Sequence, residues 1–357
     1  MSKLLNVLVT GAGSPGFPGV VQSLRIVRDY RIRIVGTDKN SEATGRFLVD
    51  SFHVVPPARD PLFIPALLSI CKEEQVDVVL PMVSAELFVL ADNKSEFEKF
   101  GIKVSVSESD KLQQVMNKGT LLKNLRDAGI TVPKSITVRT AKELLQAITQ
   151  LGYPQQAVCF KPIFGDGSRG FHILDQSIDR IRFLFYEKPN SLYMSYSELL
   201  TSLQNVTDIP ELLVMEYLPN EEYSVDILAD KGKVLTAVPR SRLETVNGIT
   251  TNGIVSKEDD VIRYASQIVQ TLGLHGNIGV QVRRDVTSRP QLIEVNPRIQ
   301  GTIVHCTAAG VNLPFLAVKL ALHIPIEASE YEIVWGTRMS RYWKEIFYDA
   351  NGSSYAL

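Results

Sequence analysis

The sequence predicts an α/β domain followed by an α+β region, and three observations lead to this fold class. Short apolar runs alternate with helical patterns through the first 110 residues, which is typical of a parallel sheet with helices on both faces. From Ala157 onward strand patterns dominate, and several are joined by short connections. Within "ILADKGKVL", Asp230-Lys231-Gly232 has the composition of a hairpin turn, so these later strands are expected to pair antiparallel.

The first domain takes its strands from four β-branched runs, "LLNVLVT", "IRIVGTD", "DVVLP" and "IKVSV". Helical stretches separate most of them. The clearest is "SAELFVLADNKSEFEKFG", for which Ser84 is a candidate N-cap. A Gly-rich turn between the first strand and the first helix makes this domain Rossmann-like.

The region after residue 110 begins with helices and continues with strands. "ESDKLQQVMNKGTLLKNLRDAGITVP" predicts a helix, a break and a second helix that stops at Gly129. "TAKELLQAITQLGYP" predicts another helix that starts at Thr140. The strands "AVCFKP", "GFHIL", "LLVMEYL", "EYSVDILAD", "KVLTAVPRSRLE", "GNIGVQVRRD" and "QLIEVNP" follow.

The bulk properties exclude several classes of protein. A chain of 357 residues is long enough for two or three domains. The formal net charge of −1 argues against a general nucleic-acid or membrane-surface binder. No signal segment or membrane-length apolar run is evident. The three cysteines are widely spaced, as expected for reduced, buried thiols. We therefore expect a cytoplasmic protein.

The Gly-rich turn Gly11-x-Gly13-x-x-Gly16, followed by Asp38 at the end of the next strand, spells a dinucleotide-binding fingerprint. This spelling leaves a nicotinamide-dependent oxidoreductase open as an alternative. Pro15 and Pro18 weaken it, because each removes an N–H donor and restricts the preceding residue. A Gly-rich turn ahead of a helix binds anions whatever the cofactor.

A second Gly-rich loop lies in "CFKPIFGDGSRGFHIL". A strand delivers Lys161, and Gly165, Gly167, Ser168 and Gly170 follow before a second strand. Glycines let backbone N–H groups approach an anion, and the lysine adds a mobile positive charge. The segment suits a hairpin flap over a polyphosphate, and a plain Gly-rich hairpin is the alternative.

The segment "QLIEVNPR" places two oxygen-bearing side chains on one face of a strand. Glu294 and Asn296 alternate with apolar residues, so they point the same way. Carboxylate and amide oxygens suit magnesium. "GNIGVQV" could bring Gln281 alongside, and Arg298 could reach a transferring phosphoryl group. An ordinary half-exposed strand is the alternative.

The order of these motifs resembles the ATP-grasp superfamily. The series runs from the parallel N-terminal domain through "MNKGTLLKNLRDAGITVP", "FKPIFGDGSRG", "VMEYLPNEEYSVD" and "IGVQV" to "IEVNPR". It is most similar to one ATP-binding half-unit of the carbamoyl phosphate synthase large subunit. The resemblance implies a preATP-grasp domain over residues 1–110, linker helices and a lid over 111–215, a lobe with the metal site over 216–330, and an extension over 331–357.

The resemblance also implies which residues hold the nucleotide. Lys118 and Lys161 would contact the phosphates of ATP, together with the Gly-rich flap. Lys161 could also reach the adenine edge and take part in the transfer. Glu216 and the backbone of Leu218 would bind adenine, and Glu222 would hold the ribose.

A further set would hold the metal and assist the transfer. Gln281, Glu294 and Asn296 would coordinate two magnesium ions, with manganese as a substitute, and Glu294 would bridge them. Arg298 would stabilise the charge of the transfer step. The chemistry implied is attack of a carboxylate on the γ-phosphate, followed by displacement of phosphate from the acyl phosphate by an amine or similar nucleophile.

This sequence shows one unit and no glutaminase signature, so carbamoyl phosphate synthesis by this chain alone is not expected. Small-molecule carboxylate and amine substrates, and a homodimer as the commonest oligomer, are the expected partners. The first Gly-rich turn, with Gly11, Gly13 and Ser14, would line the carboxylate or acyl-phosphate side of the cleft. Arg240 and Arg242 are candidates for a substrate carboxylate or phosphate, and a solvated strand face is their alternative. A non-catalytic ATP-binding protein remains the main competing function.

Overall fold

The computed structural model describes residues 3–164, 170–186, 192–246, 248–351 and 353–355. The chain packs into two compact units that are discontinuous in sequence. The first comprises Met1–Val115, Glu222–Val282 and Glu294–Leu357, and the second comprises Met116–Glu221 and Arg283–Ile293. The chain passes between the units near the predicted limits 110/111 and 215/216. The segments predicted as C-terminal lobe and extension belong mainly to the first unit.

The first unit contains a parallel sheet of five strands in the order β3-β2-β1-β4-β5. These strands are β1 Lys3–Thr10, β2 Tyr30–Asp38, β3 Ser51–Val54, β4 Val78–Leu80 and β5 Lys103–Val104. All four strand pairs run parallel, as the alternation of elements predicted. The strand order reverses direction between β1 and β4, and ligands of such sheets bind at the carboxyl edge of that point.

The helices around this sheet follow the periodicity of the sequence. They are α1 Phe17–Arg25, α2 Phe63–Glu73, α3 Leu87–Asp92 and α4 Lys94–Glu98, with 3₁₀ turns at Thr44–Phe47 and Ser84–Glu86. Ser84 does not cap α3 as predicted, because a 3₁₀ turn begins there and no side-chain cap bond forms at Glu86. Its hydroxyl oxygen is thereby left available for another partner.

A second sheet, of six strands in the order β14-β13-β10-β11-β12-β15, is built mostly from the first unit. The strands are β10 Glu222–Asp230, β11 Lys233–Val246, β12 Ile249–Val255, β13 Gly276–Arg284, β14 Pro290–Asn296 and β15 Arg338–Ser340. Strand β10 pairs antiparallel with β11 across the predicted turn. Lys231 and Gly232 both have positive φ there, 46° and 89°, so the predicted hairpin is confirmed.

Three helices and a hairpin complete the first unit: α10 Asp259–Leu272, α11 Val304–Ala308, α12 Leu313–Ala321, and the pair β16 Phe347–Tyr348 with β17 Ser354–Tyr355. Side chains from β1, β10, β11 and α12 share one apolar core, which includes Val7, Leu228, Val238 and Leu316. Burial of this continuous core supplies the main favourable term in the folding of the unit.

The second unit is organised around an antiparallel sheet of four strands in the order β6-β9-β7-β8. The strands are β6 Ser135–Thr140, β7 Val158–Pro162, β8 His172–Leu174 and β9 Asp208–Glu216, and the helices are α6 Lys118–Asp127, α7 Ala141–Gln150, α8 Arg180–Tyr186 and α9 Tyr196–Ser202. Helix α5, Ser109–Met116, precedes them at the boundary. Thr140 starts α7 through a capping box with Glu143, which confirms the predicted start.

Cysteines and helix lengths agree with the remaining expectations. Cys71, Cys159 and Cys306 are buried thiols without disulfide bonds in the described chain. Within the same residues, every helix is too short or too polar to cross a bilayer.

Candidate active site

Two lysines of the second unit converge on the end of β7. Lys161 lies on β7 with 9% of its surface exposed, and its Nζ donates to the Ile293 carbonyl at 3.0 Å. Lys118 starts α6, where Asn117 provides the N-cap, and its Nζ approaches the Ile163 carbonyl at 3.4 Å. The fold therefore presents both ammonium groups close to the strand that leads into the Gly-rich flap.

The flap itself lies mainly outside the described residues, including Gly165, Gly167 and Ser168. Gly170, at its end, has a φ of 70°, and a Cβ there would lie 2.9 Å from Cγ of Pro162. Glycine at this position thus satisfies both the left-handed backbone and the close approach to β7. The proposed contact of the flap with phosphates stays a prediction.

The predicted adenine segment connects β9 to β10. Glu216 ends β9, and its Oε1 accepts the backbone N–H of Lys134 at 2.9 Å. Leu218 is 5% exposed. Between them, the ring of Tyr217 lies 5.0 Å from the guanidinium carbon of Arg283, which also donates to the Tyr217 hydroxyl. The segment is therefore held in one conformation, although one Glu216 oxygen is already engaged.

The predicted metal residues lie on the adjacent strands β13 and β14. Glu294 and Asn296 share a face of β14, as the period of two predicts, and Asn296 Nδ2 donates to Glu294 Oε1 at 2.8 Å. Gln281 is half-buried on β13. One carboxylate and two amides form a hard oxygen donor set that fits magnesium or manganese. A cluster of three or more His, Cys, Asp or Glu side chains that could hold a metal ion is absent from the described residues.

Arg298 follows the metal strand and is held by the N-terminal domain of the same unit. Its Nε donates to Ser84 Oγ at 2.9 Å, and its Nη1 donates to the Ile299 carbonyl at 3.0 Å. A small cavity beside it is lined by Leu80, Pro81, Ser105, Asn277, Arg298 and Ile299. Asn277 Oδ1 is buried there without a hydrogen-bond partner among the described residues. The guanidinium therefore borders a polar cavity at the carboxyl edge of the parallel sheet.

The ribose candidate Glu222 is paired with a predicted substrate residue. Arg242 Nη1 lies 3.1 Å from Glu222 Oε1, and Arg242 Nη2 donates to the Gly248 carbonyl at 2.8 Å. The Arg242 side chain is 7% exposed, so the alternative of a solvated strand face is wrong for it. A ribose hydroxyl that binds Glu222 would share that carboxylate with Arg242.

The environment of Arg240 differs from both interpretations of the sequence. It is 1% exposed, and its Nε and Nη2 contact Asp226 Oδ2 at 2.6 and 2.5 Å. The solvated strand face is wrong here too, because the side chain is sealed inside the unit. Since Asp226 already neutralises the guanidinium, the burial also argues against the predicted contact with a substrate carboxylate or phosphate. Arg240 forms a buried ion pair.

The first Gly-rich turn uses Asp38 internally. Gly13 N donates to Asp38 Oδ2 at 2.7 Å, and Asn40 N donates to Asp38 Oδ1 at 2.9 Å. Gly11 has a φ of 69°, and Ser14 N closes the turn on its carbonyl. In a dinucleotide site the equivalent carboxylate accepts ribose hydroxyls. Here backbone amides occupy both oxygens, which argues against the oxidoreductase alternative.

Two family profiles match the chain. Residues 208–341 match "ATP-grasp in the biosynthetic pathway with Ter operon", and residues 7–105 match "PylC-like, N-terminal domain". The chain therefore carries an ATP-grasp region over residues 208–341. The two matches cover the strands of the predicted metal residues and the parallel sheet, in the order that the sequence predicted.

Curated relatives of this chain include carbamoyl phosphate synthase large chains. That of Pyrobaculum aerophilum is 24% identical over 84% of this chain and 29% of its own length. That of Pseudomonas putida is 21% identical over 92% of this chain and 30% of its own length. The chain thus spans less than a third of the length of these relatives, as one half-unit would.

Solved structures share the fold at low identity. Biotin carboxylase from Campylobacter jejuni has a TM-score of 0.65 at 16% identity, covering 92% of this chain and 73% of that one. An L-amino acid ligase from Bacillus licheniformis has a TM-score of 0.59 at 16% identity, covering 92% and 76%. The ATP-grasp fold, with a Rossmann-like domain first, is therefore confirmed for this chain.

Sequence reasoning missed one titratable group in this chain. Glu86 is 7% exposed, and its Oε2 accepts the Thr10 hydroxyl at 2.5 Å. The pKa of Glu86 is raised to about 7. Burial is the main cause and repulsion from Asp38 adds to it, while the hydrogen bond from Thr10 acts in the opposite direction. The available signal was positional: Thr10 ends β1 and Glu86 follows β4, and these neighbouring parallel strands end at one edge.

Proposed function

We propose that this chain is an ATP- and magnesium-dependent ligase that activates a carboxylate as an acyl phosphate and joins it to an amine or a similar nucleophile. Lys118 and Lys161 contact the phosphates, and Gln281, Glu294 and Asn296 hold the metal. When bound, magnesium neutralises phosphate charge. A loose phosphoryl transition state requires positioning and positive charge more than a protein nucleophile.

The observation that carries this proposal is the placement of Arg298. A protein that only binds ATP has no need for a guanidinium fixed by Ser84 beside a polar cavity. An oxyanion or transferring phosphoryl group at that cavity would meet a preorganised donor. The buried Asn277 Oδ1 adds an acceptor for a protonated group.

Three enzymes among the structural neighbours support the same reaction class. N5-carboxyaminoimidazole ribonucleotide synthetase, biotin carboxylase and L-amino acid ligase occur among them. The carboxylate and the nucleophile are proposed to be small molecules. The homodimer stays a prediction.

The test is a phosphate-release screen of carboxylates crossed with amines, with magnesium and ATP. Hydroxylamine is included because it traps acyl phosphates as hydroxamates. We expect a subset of carboxylates to give phosphate and hydroxamate, and Glu294→Gln to abolish both. Glu96→Gln, an exposed surface variant, is the control. ATP binding without phosphate release across the whole panel would instead support the non-catalytic alternative.

A further inference from the structure

The carboxyl edge of the parallel sheet contains an acidic side chain that the proposed ligase reaction has not yet used. Glu86 follows β4, and Thr10 ends the neighbouring strand β1. The strand order reverses between β1 and β4, which is where open α/β sheets bind ligands. Glu86 therefore lies at the position of the sheet where a substrate is most expected.

The hydrogen bonds of Glu86 leave one of its oxygens available. Thr10 Oγ1 donates its single proton to Glu86 Oε2, and the same hydroxyl accepts the backbone N–H of Met82. The Thr10 proton is thus committed and Oε2 is fixed in place. Glu86 Oε1 has no hydrogen bond within the described chain, and it is not among the side-chain atoms sealed from solvent. A small donor group can therefore reach it.

The charges around Glu86 suit an amine. Asp38, at the end of β2, repels a second negative charge. Arg298 is held by Ser84, two residues before Glu86 in the chain. A bound ammonium group would relieve the repulsion between Glu86 and Asp38 and would lie on the same sheet edge as the Arg298 cavity. A carboxylate substrate would be disfavoured beside Glu86 for the same reason.

We propose that Glu86 Oε1 receives the amine nucleophile of the ligation and accepts its proton. This inference rests on the proposed function and names the binding place and the base for its second substrate. One proton of the ammonium group passes to the Glu86 carboxylate, and the nitrogen lone pair then attacks the acyl carbon. The bond from that carbon to the phosphate oxygen breaks. Phosphate leaves with the electron pair and takes the second nitrogen proton.

The environment of Glu86 fits this task. A general base works best when its pKa lies near the working pH, and burial brings the pKa of Glu86 to about 7. Both protonation states are then populated near neutrality, so the group can take a proton and release it to solvent in each cycle.

The first test compares two nucleophiles at neutral pH with a carboxylate from the screen. Ammonium chloride supplies a protonated nucleophile that needs a base, whereas hydroxylamine is mostly unprotonated and does not. We expect Glu86→Gln to lower phosphate release with ammonium about 100-fold or more, with the loss shrinking as pH rises. Hydroxamate formation should stay within about twofold, and Glu96→Gln should change neither. Unchanged ammonium activity, or an equal loss with both nucleophiles, would overturn the proposal.

A second test needs no turnover and separates this inference from the proposed function. Propylammonium chloride should raise the melting temperature of the full chain above pH 7, where Glu86 is ionised. Tetramethylammonium chloride at the same concentration, which has no N–H to donate, should not. Glu86→Gln should lose the propylammonium shift. Equal shifts in the chain and its variant would refute the amine site, while hydroxamate absent from the unmodified chain would refute the ligase proposal.

Discussion

The ion pair between Arg240 and Asp226 should contribute to stability, and Arg240→Met tests this directly. Both side chains are within 2% of complete burial, and Nε and Nη2 lie 2.6 and 2.5 Å from the same carboxylate oxygen. Removing the guanidinium leaves a buried carboxylate for which the Cys306 thiol, at 3.4 Å, is the remaining side-chain donor among the described residues. Breaking a buried pair in this way costs about 3–5 kcal/mol.

Urea unfolding followed by tryptophan fluorescence measures this cost. The two tryptophans, Trp335 and Trp343, both lie in the unit that contains Arg240, so the signal reports that unit. Arg46→Met is the matched control in the same unit, because its pair with Glu42 is exposed and should contribute less than about 1 kcal/mol.

The double variant Asp226→Asn with Arg240→Met sharpens the reasoning. It removes the uncompensated charge, so it should be more stable than Arg240→Met alone. The reasoning would be refuted if Arg240→Met unfolded at the same urea concentration as Arg46→Met. The reasoning would also fail if the loss of unfolding free energy in the double variant equalled the sum of the losses in the two single variants.

Three further predictions follow from the site. Between pH 4.5 and about 7, Glu86 keeps its proton in the folded chain but has lost it in the unfolded chain. The free energy of unfolding should therefore fall by about 3 kcal/mol as pH rises across that window. Melting curves of Glu86→Gln should lack this component, and parallel pH profiles would contradict the assignment. Ser84→Ala should lower turnover more than about tenfold by releasing Arg298, with an unchanged melting temperature; an unchanged turnover would show that Arg298 does not depend on Ser84. Because burial raises the pKa of Cys71 to about 12 and of Cys159 to about 11, and raises that of Cys306, maleimide should label the thiols only after denaturation.

The sequence predicted the fold well where local patterns decide it. The parallel strands, the capping box at Thr140 and the Lys231-Gly232 hairpin each depend on a few neighbouring residues, and all three are present. Domain limits were harder, because the first unit combines three segments that are distant in sequence. Side-chain packing across such distances leaves no local signal.

The sequence predicted the residue types of the site better than it predicted the side chains that they contact. The shared strand face of Glu294 and Asn296 followed from the period of two. Arg240 and Arg242 were predicted to hold a substrate group or to lie on a solvated strand face, since nothing near them in sequence reveals their ion pairs with Asp226 and Glu222 on β10. Glu86 was missed because its pKa depends on burial and on Thr10, 76 positions earlier in the chain.

The central claim, activation of a carboxylate by ATP, is tested most directly by the fate of a carboxylate oxygen. The carboxylate that gives phosphate release is prepared with heavy oxygen and incubated with the chain, magnesium, ATP and an amine. If an acyl phosphate forms, its displacement leaves one carboxylate oxygen on the phosphate, and mass spectrometry should detect labelled phosphate with Glu96→Gln but not with Glu294→Gln. Unlabelled phosphate, released at the same rate, would show that water rather than the carboxylate attacks ATP and would contradict the account.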